Sequence, residues 1–146
     1  NFQNNIIINN SKNVIIVRQN KNYNKKIILS KDVVWNKYVF KLEESVLLDK
    51  NAIDKNTMYI PSKVFKQGVY VRNWITGDYY LNNNKKKRVS RLFIKNKFNN
   101  YNKMYHPLIV DCDDKIVWIP GLLNTKKILS PSRNNNYVKI SKEILN

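Results

Sequence analysis

Short apolar clusters punctuate the first half of this chain. Ile6 to Ile8, Val14 to Arg18, Lys26 to Leu29 and Tyr38 to Leu42 are β-branched or aromatic runs set apart by Asn, Lys, Ser and Asp. Such residues suit a pleated, half-buried surface, and turn formers at a spacing of about ten break them up, so the pattern predicts an antiparallel sheet. Met58 to Ile60 reads as a further strand that Pro61 interrupts, because proline cannot donate to a ladder. Leu47 to Asp54 fits a turn or a short helix equally well.

The second half is better patterned. Val69, Val71 and Asn73 fall on one side of an alternation and Tyr70, Arg72 and Trp74 on the other, which is the period of a strand. Thr76-Gly77-Asp78 signals a turn. Asn82 to Arg88 reads as a polar, strongly basic loop, with Ser90 as the N-cap of a short amphipathic helix over Arg91 to Phe98. Leu108 to Cys112 and Ile116 to Ile119 read as the arms of a hairpin around Asp113-Asp114, and Tyr137 to Ile140 as a last strand. The expected class is α+β: a β-rich segment over residues 1–66, then a small α+β domain over 67–146.

Composition changes this picture in two ways. The chain has 146 residues with 42% hydrophobic and 12% aromatic positions, which is globular rather than disordered. It starts at Asn1 without an initiator Met, which suggests a piece of a longer protein. Neither a signal peptide nor an apolar run near the roughly 18 to 20 residues of a membrane span is visible, so no membrane partner is expected. The formal net charge is +17 with a pI of about 10.0. That excess suggests a polyanionic partner. It is discounted by the bias toward Asn, Lys and Ile, with 22 lysines against 5 arginines, as an AT-rich genome would produce. Charge placement is therefore the better guide.

Catalytic sets are missing from the sequence. Three glycines, Gly68, Gly77 and Gly121, cannot build a phosphate loop. One histidine, His106, reads as a surface or strand-edge imidazole, and with the single Cys112 it cannot complete a tetrahedral zinc site. Asp111, Asp113 and Asp114 could offer oxygens to a divalent cation, but solvated turn residues are the commoner outcome. No catalytic residue, resident cofactor or metal is expected. Binding signals are stronger. Lys85, Lys86, Lys87 and Arg88 form a compact basic block, continued by Arg91, Lys95 and Lys97. Such a cluster can neutralise phosphates and release counterions, and a helix start beside it favours an anion. Tyr79 and Tyr80 could stack on an unpaired base. A solvated charged loop with partly buried tyrosines is the plainer alternative.

Six pieces stand in order: Val71-Arg72-Asn73-Trp74, Gly77-Asp78, Lys87-Arg88-Val89-Ser90-Arg91-Leu92-Phe93, Lys97, Pro107, and Ile116-Val117-Trp118-Ile119-Pro120-Gly121-Leu122. Together they resemble the C-terminal domain of tRNA(Ile)-lysidine synthetases. Tyr79 stands where that family usually has Arg, the Leu81-to-Lys86 segment is shorter and without Gly, and Phe98-Asn99 replaces Ile-Pro. The resemblance implies a β-sandwich core similar to a domain of the phenylalanyl-tRNA synthetase β-chain. It implies an ATP- and Mg-dependent ligase that attaches lysine to the wobble cytidine of the CAU-anticodon isoleucine tRNA, with the chemistry in an N-terminal domain outside this chain. This part would be inactive alone and would grip the tRNA. A homodimer of the full-length protein stays open, and the setting would be a bacterial cytoplasm or a plastid-like organelle. Arg72, Asp78, Lys87, Arg88, Lys97 and Lys103 carry over; with Lys85, Lys86, Arg91 and Lys95 the basic ones make the expected tRNA-binding set. Arg72 and Asp78 could instead fix the turn. Trp118 and Phe93 are expected in the core. A stand-alone RNA-binding or ribosome-associated module is the alternative function.

Overall fold

A computed structural model describes residues 5–10, 13–18, 26–124 and 136–145. In chain order the strands are β1 (Asn5–Asn10), β2 (Asn13–Arg18), β3 (Lys26–Ile28), β4 (Val33–Trp35), β5 (Tyr38–Val46) and β6 (Thr57–Pro61). Helix α1 (Ser62–Gln67) leads into β7 (Val69–Arg72), β8 (Tyr79–Asn82) and β9 (Lys85–Arg88). Then come α2 (Val89–Lys95), α3 (Asn100–Tyr105), β10 (Leu108–Asp111), β11 (Ile116–Ile119), β12 (Leu123–Asn124) and β13 (Tyr137–Ile144). The ambiguous Leu47 to Asp54 segment contains one 3-10 turn, Lys50–Ala52, capped by the Asp49 carboxylate.

The chain divides into two compact units. One comprises residues 26–72 and 107–146. It is a β-sandwich, as the fold class read from the sequence requires. A five-stranded sheet runs β12-β11-β10-β7-β3 and a four-stranded sheet runs β4-β5-β13-β6. The alternation at Val69 and Val71 places both in the core, and Trp35, Phe40, Met58, Ile60, Trp118, Val138 and Ile140 close over them. Phe40 meets Trp118 edge-to-face at 6.2 Å, a geometry that aligns ring edge and π-face. The hairpin expected at Leu108 and Ile116 forms, with Asp111 accepting from the backbone N–H groups of Asp113 and Lys115 at 2.9 and 3.0 Å.

Strand pairing crosses the sequential division between residues 66 and 67. Strand β3 pairs with β7, and β13 runs between β5 and β6. No local periodicity encodes such pairings, because they join residues far apart in sequence.

The second unit comprises residues 1–25 and 73–106. It holds the β1–β2 and β8–β9 hairpins with α2 and α3. Its packed centre is aromatic. Phe93 and Phe98 stack at 4.9 Å, while Trp74 and His106 approach Phe93 edge-on at 5.8 and 5.9 Å. His106 is 8% exposed. The surface imidazole read from the sequence is therefore corrected: the ring is an aromatic packing partner.

Candidate nucleic-acid interface

The basic block is a strand, not a loop. Asn83 and Asn84 have φ of 50° and 63°, as the two central residues of a type I′ turn require. Asparagine tolerates that region, so the absent glycine is replaced. The turn pairs Tyr79 with Arg88, Tyr80 with Lys87, Leu81 with Lys86 and Asn82 with Lys85. An isolated two-stranded hairpin is marginal in water. This one is tied down at its base by buried Tyr80 and Val89. Burial also raises the Tyr80 phenol above its usual pKa.

Period two sorts the charges. Lys86 and Arg88 share a face with the exposed Tyr79 and Leu81, and Lys86 Nζ lies 4.6 Å from the centre of the Tyr79 ring. Lys85 and Lys87 point the other way. All four side chains are exposed, and among the described residues none forms an ion pair. Tyr80 is withdrawn from solvent, which leaves Tyr79 as the ring available for stacking.

The base of the hairpin is fixed by backbone chemistry. Asp78 Oδ2 accepts from the Ile75 N–H at 2.8 Å, and the Asp78 carbonyl accepts from Val89 at 3.1 Å. Arg88 Nη1 donates to the Gly77 carbonyl at 3.2 Å, which aims the guanidinium while leaving other donors open.

Helix α2 starts at Val89, so the Ser90 cap is corrected. The N-cap is Arg88, without a side-chain cap bond, and the helix ends at Lys95. Its Val89 and Phe93 face inward, and Arg91 and Lys95 are exposed one turn apart. The end is a Schellman motif. Lys97 has φ of 57°, its N–H reaches the Ile94 carbonyl and the Phe98 N–H reaches the Phe93 carbonyl, both at 2.9 Å. Phe98 therefore folds back onto Phe93 while Lys97 stays at the surface. Lys103 lies half-buried on α3, a helix the sequence reading missed. Asn99, whose side chain accepts from the Asn102 N–H at 2.8 Å, was the cap signal for it.

Arg72 stands apart from the other candidates. It lies in the sandwich, its side chain is 6% exposed, and Nε meets Asp114 Oδ1 at 3.0 Å. Lys26 reaches the same oxygen at 3.5 Å. Asp111 closes its own turn and Asp114 serves these cations. Among the described residues no group of three or more His, Cys, Asp or Glu could hold a metal ion, and no helix is long and apolar enough to cross a membrane.

Charge is unevenly shared. Residues 1–25 and 73–106 contain 12 Lys and Arg against a single acid, Asp78, while the sandwich residues contain 15 against 9.

The fold is a known one. In fold the chain matches a crystal structure of the TilS C-terminal domain, with a TM-score of 0.70 at 19% identity over 84% of this chain and 98% of that one. In sequence it is similar to the tRNA(Ile)-lysidine synthase of Shouchella clausii (strain KSM-K16), 38% identical over 68 residues. That match covers 45% of this chain but 14% of the relative's length. No protein-family model matches the chain. The resemblance read from the sequence thus holds in both sequence and fold.

Proposed function

We propose that this chain is the tRNA-gripping C-terminal part of a tRNA(Ile)-lysidine synthetase. The observation that carries the reading is the β8–β9 hairpin, with four exposed cations beside an exposed tyrosine and none of them in an ion pair among the described residues. Four like charges on four consecutive residues repel one another, and a polyanion relieves that repulsion. Lys85, Lys86, Lys87 and Arg88 contact phosphates, with Arg91, Lys95, Lys97 and Lys103 extending the surface. Arg72 is left out of the set because its guanidinium is buried against Asp114. The partner is the isoleucine tRNA with a CAU anticodon, in a bacterial cytoplasm. The ATP- and Mg-dependent attachment of lysine belongs to a separate N-terminal domain, so this chain alone binds without turning over.

Filter binding with tRNA tests the reading. Six to ten phosphate contacts correspond to a loss of about 10³ to 10⁵ in affinity between about 50 and 200 mM salt. Weak binding with a flat salt dependence would sink it.

A further inference from the structure

Strand β13 contains an anomaly of pattern. Val138 and Ile140 point into the sandwich core, and period two places Lys142 on the same inward face. The partner strand agrees. Lys142 pairs with Phe40, which is fully buried, and Tyr38 shares that face of β5. The sequence thus puts a lysine where the core stripe would continue.

The lysine ends at one end of the sandwich, where four segments converge. Its Nζ lies 4.5 Å from the centre of the Tyr38 ring, and Lys37 Nζ lies 5.5 Å from the same ring. The backbone N–H of Lys142 donates to the Asn56 carbonyl at 2.8 Å, and that of Gly121 to the Lys55 carbonyl at 2.7 Å. A side chain begun at Gly121 would start 3.0 Å from Lys142 Nζ. The turn at Gly121, with φ of 78°, therefore closes directly over the ammonium.

The nearby carboxylates are engaged elsewhere. Glu143 pairs with Lys41 at 3.0 Å on the other face of β13, and Asp54 accepts from the Asn56 N–H at 2.7 Å. Among the described residues no carboxylate forms an ion pair with Lys142. Burial and the charge of Lys37 both lower its pKa. A solvated lysine covering the core end with its methylenes would account for the buried stem. It would not account for a second ammonium on the same ring, with neither lysine in an ion pair among the described residues.

We propose that Lys142 and Lys37, with Tyr38 between them and Gly121 as the close wall, form a second phosphate-binding site, in the sandwich rather than on the basic hairpin. The site takes one backbone phosphate of the RNA, and the inference rests on the RNA-binding reading given above. Tyr38 and the Gly121 turn hold Lys142 in place, and Lys37 adds the second positive charge.

The test is a salt titration of tRNA binding by the full chain, comparing wild type with Lys142→Gln, Lys142→Arg and Lys37→Gln. A fourth variant changes Lys85, Lys86 and Lys87 together to Gln. One lost phosphate contact lowers the slope of log affinity against log salt by about 0.9, or roughly eightfold in affinity at 0.1 M salt. Lys142→Gln is expected to show that loss and Lys142→Arg to restore most of it. Lys37→Gln, a change at an exposed side chain, is expected to reduce the slope as well and to leave the melting curve unchanged. Wild-type slope and affinity in both Gln variants, with loss confined to the hairpin variant, would overturn this site and leave the RNA reading intact. A flat salt dependence already in the wild type would remove both.

Discussion

The two compact units handle positive charge in opposite ways. In the sandwich, fifteen cations stand with nine acids and some are matched: Arg72 and Lys26 share Asp114, and Lys41 pairs with Glu143. In the other unit a single acid, Asp78, faces twelve cations, and that acid closes a backbone turn. A lysine-rich genome would raise the lysine content of both units alike. It would not leave the acids concentrated in one. The net charge of +17 is thus a poor guide taken whole and a good one once divided by unit.

The contrast can be broken from either side. The largest effect is expected at the sandwich core. Trp118→Ala removes a fully buried ring packed on Phe40 and should cost about 3–5 kcal/mol in a urea melt followed by circular dichroism. A cost under about 1 kcal/mol would mean that the sandwich is not the stabilising unit. Next comes the Lys85, Lys86 and Lys87 triple change to Gln. Three lost phosphate contacts predict a roughly 10² to 10³-fold weaker tRNA complex and a salt slope reduced by about 3. The melting curve should be unchanged, because all three side chains are exposed. Equal losses on unrelated tRNAs are expected, since phosphate contacts position rather than specify.

Arg72→Gln sharpens the comparison. The buried guanidinium is a fold element here, so stability should fall by about 1.5 kcal/mol, at the low end for charged hydrogen bonds because Asp114 is half exposed. The salt slope of tRNA binding should not move. A lowered slope with an unchanged melt would return Arg72 to the binding set.

The smallest effect is a pH dependence in the hairpin unit. The Tyr80 phenol is held above its usual pKa by burial. The folded chain keeps that proton after the unfolded chain has lost it. The resulting stability is complete below the unfolded value near pH 10 and declines as pH rises through the higher folded value. Thermal melts between about pH 8 and 11 should show the decline, and Tyr80→Phe should make it shallower. An identical profile in the variant would assign the decline to other groups.

Legibility in the sequence followed burial. Where a strand has one face in the core, alternation marks it: Val69 and Val71 were visible, and so were Leu108 and Ile116 around their Asp turn. Strand β9 has no buried side chain, so its four cations carry no period and read as a loop. The cue was Asn83-Asn84, two residues able to take positive φ in succession. His106 was misjudged because its partners Phe93 and Phe98 are brought to it by the Schellman turn at Lys97, not by sequence spacing. The insertion of β13 between β5 and β6 left no local trace at all.

That insertion has a consequence for how the molecule is made. A nascent chain that has exposed β5 and β6 but not Tyr137 to Ile144 holds two strands with no common neighbour, each presenting unpaired backbone groups. The sandwich cannot close strand by strand during synthesis and must wait for β13. Closing so long a loop is slow, and an open sheet edge in the interval is where aggregation starts. The basic hairpin and the aromatic centre packed with it come from residues 74–106, close in sequence, and do not have to wait for β13.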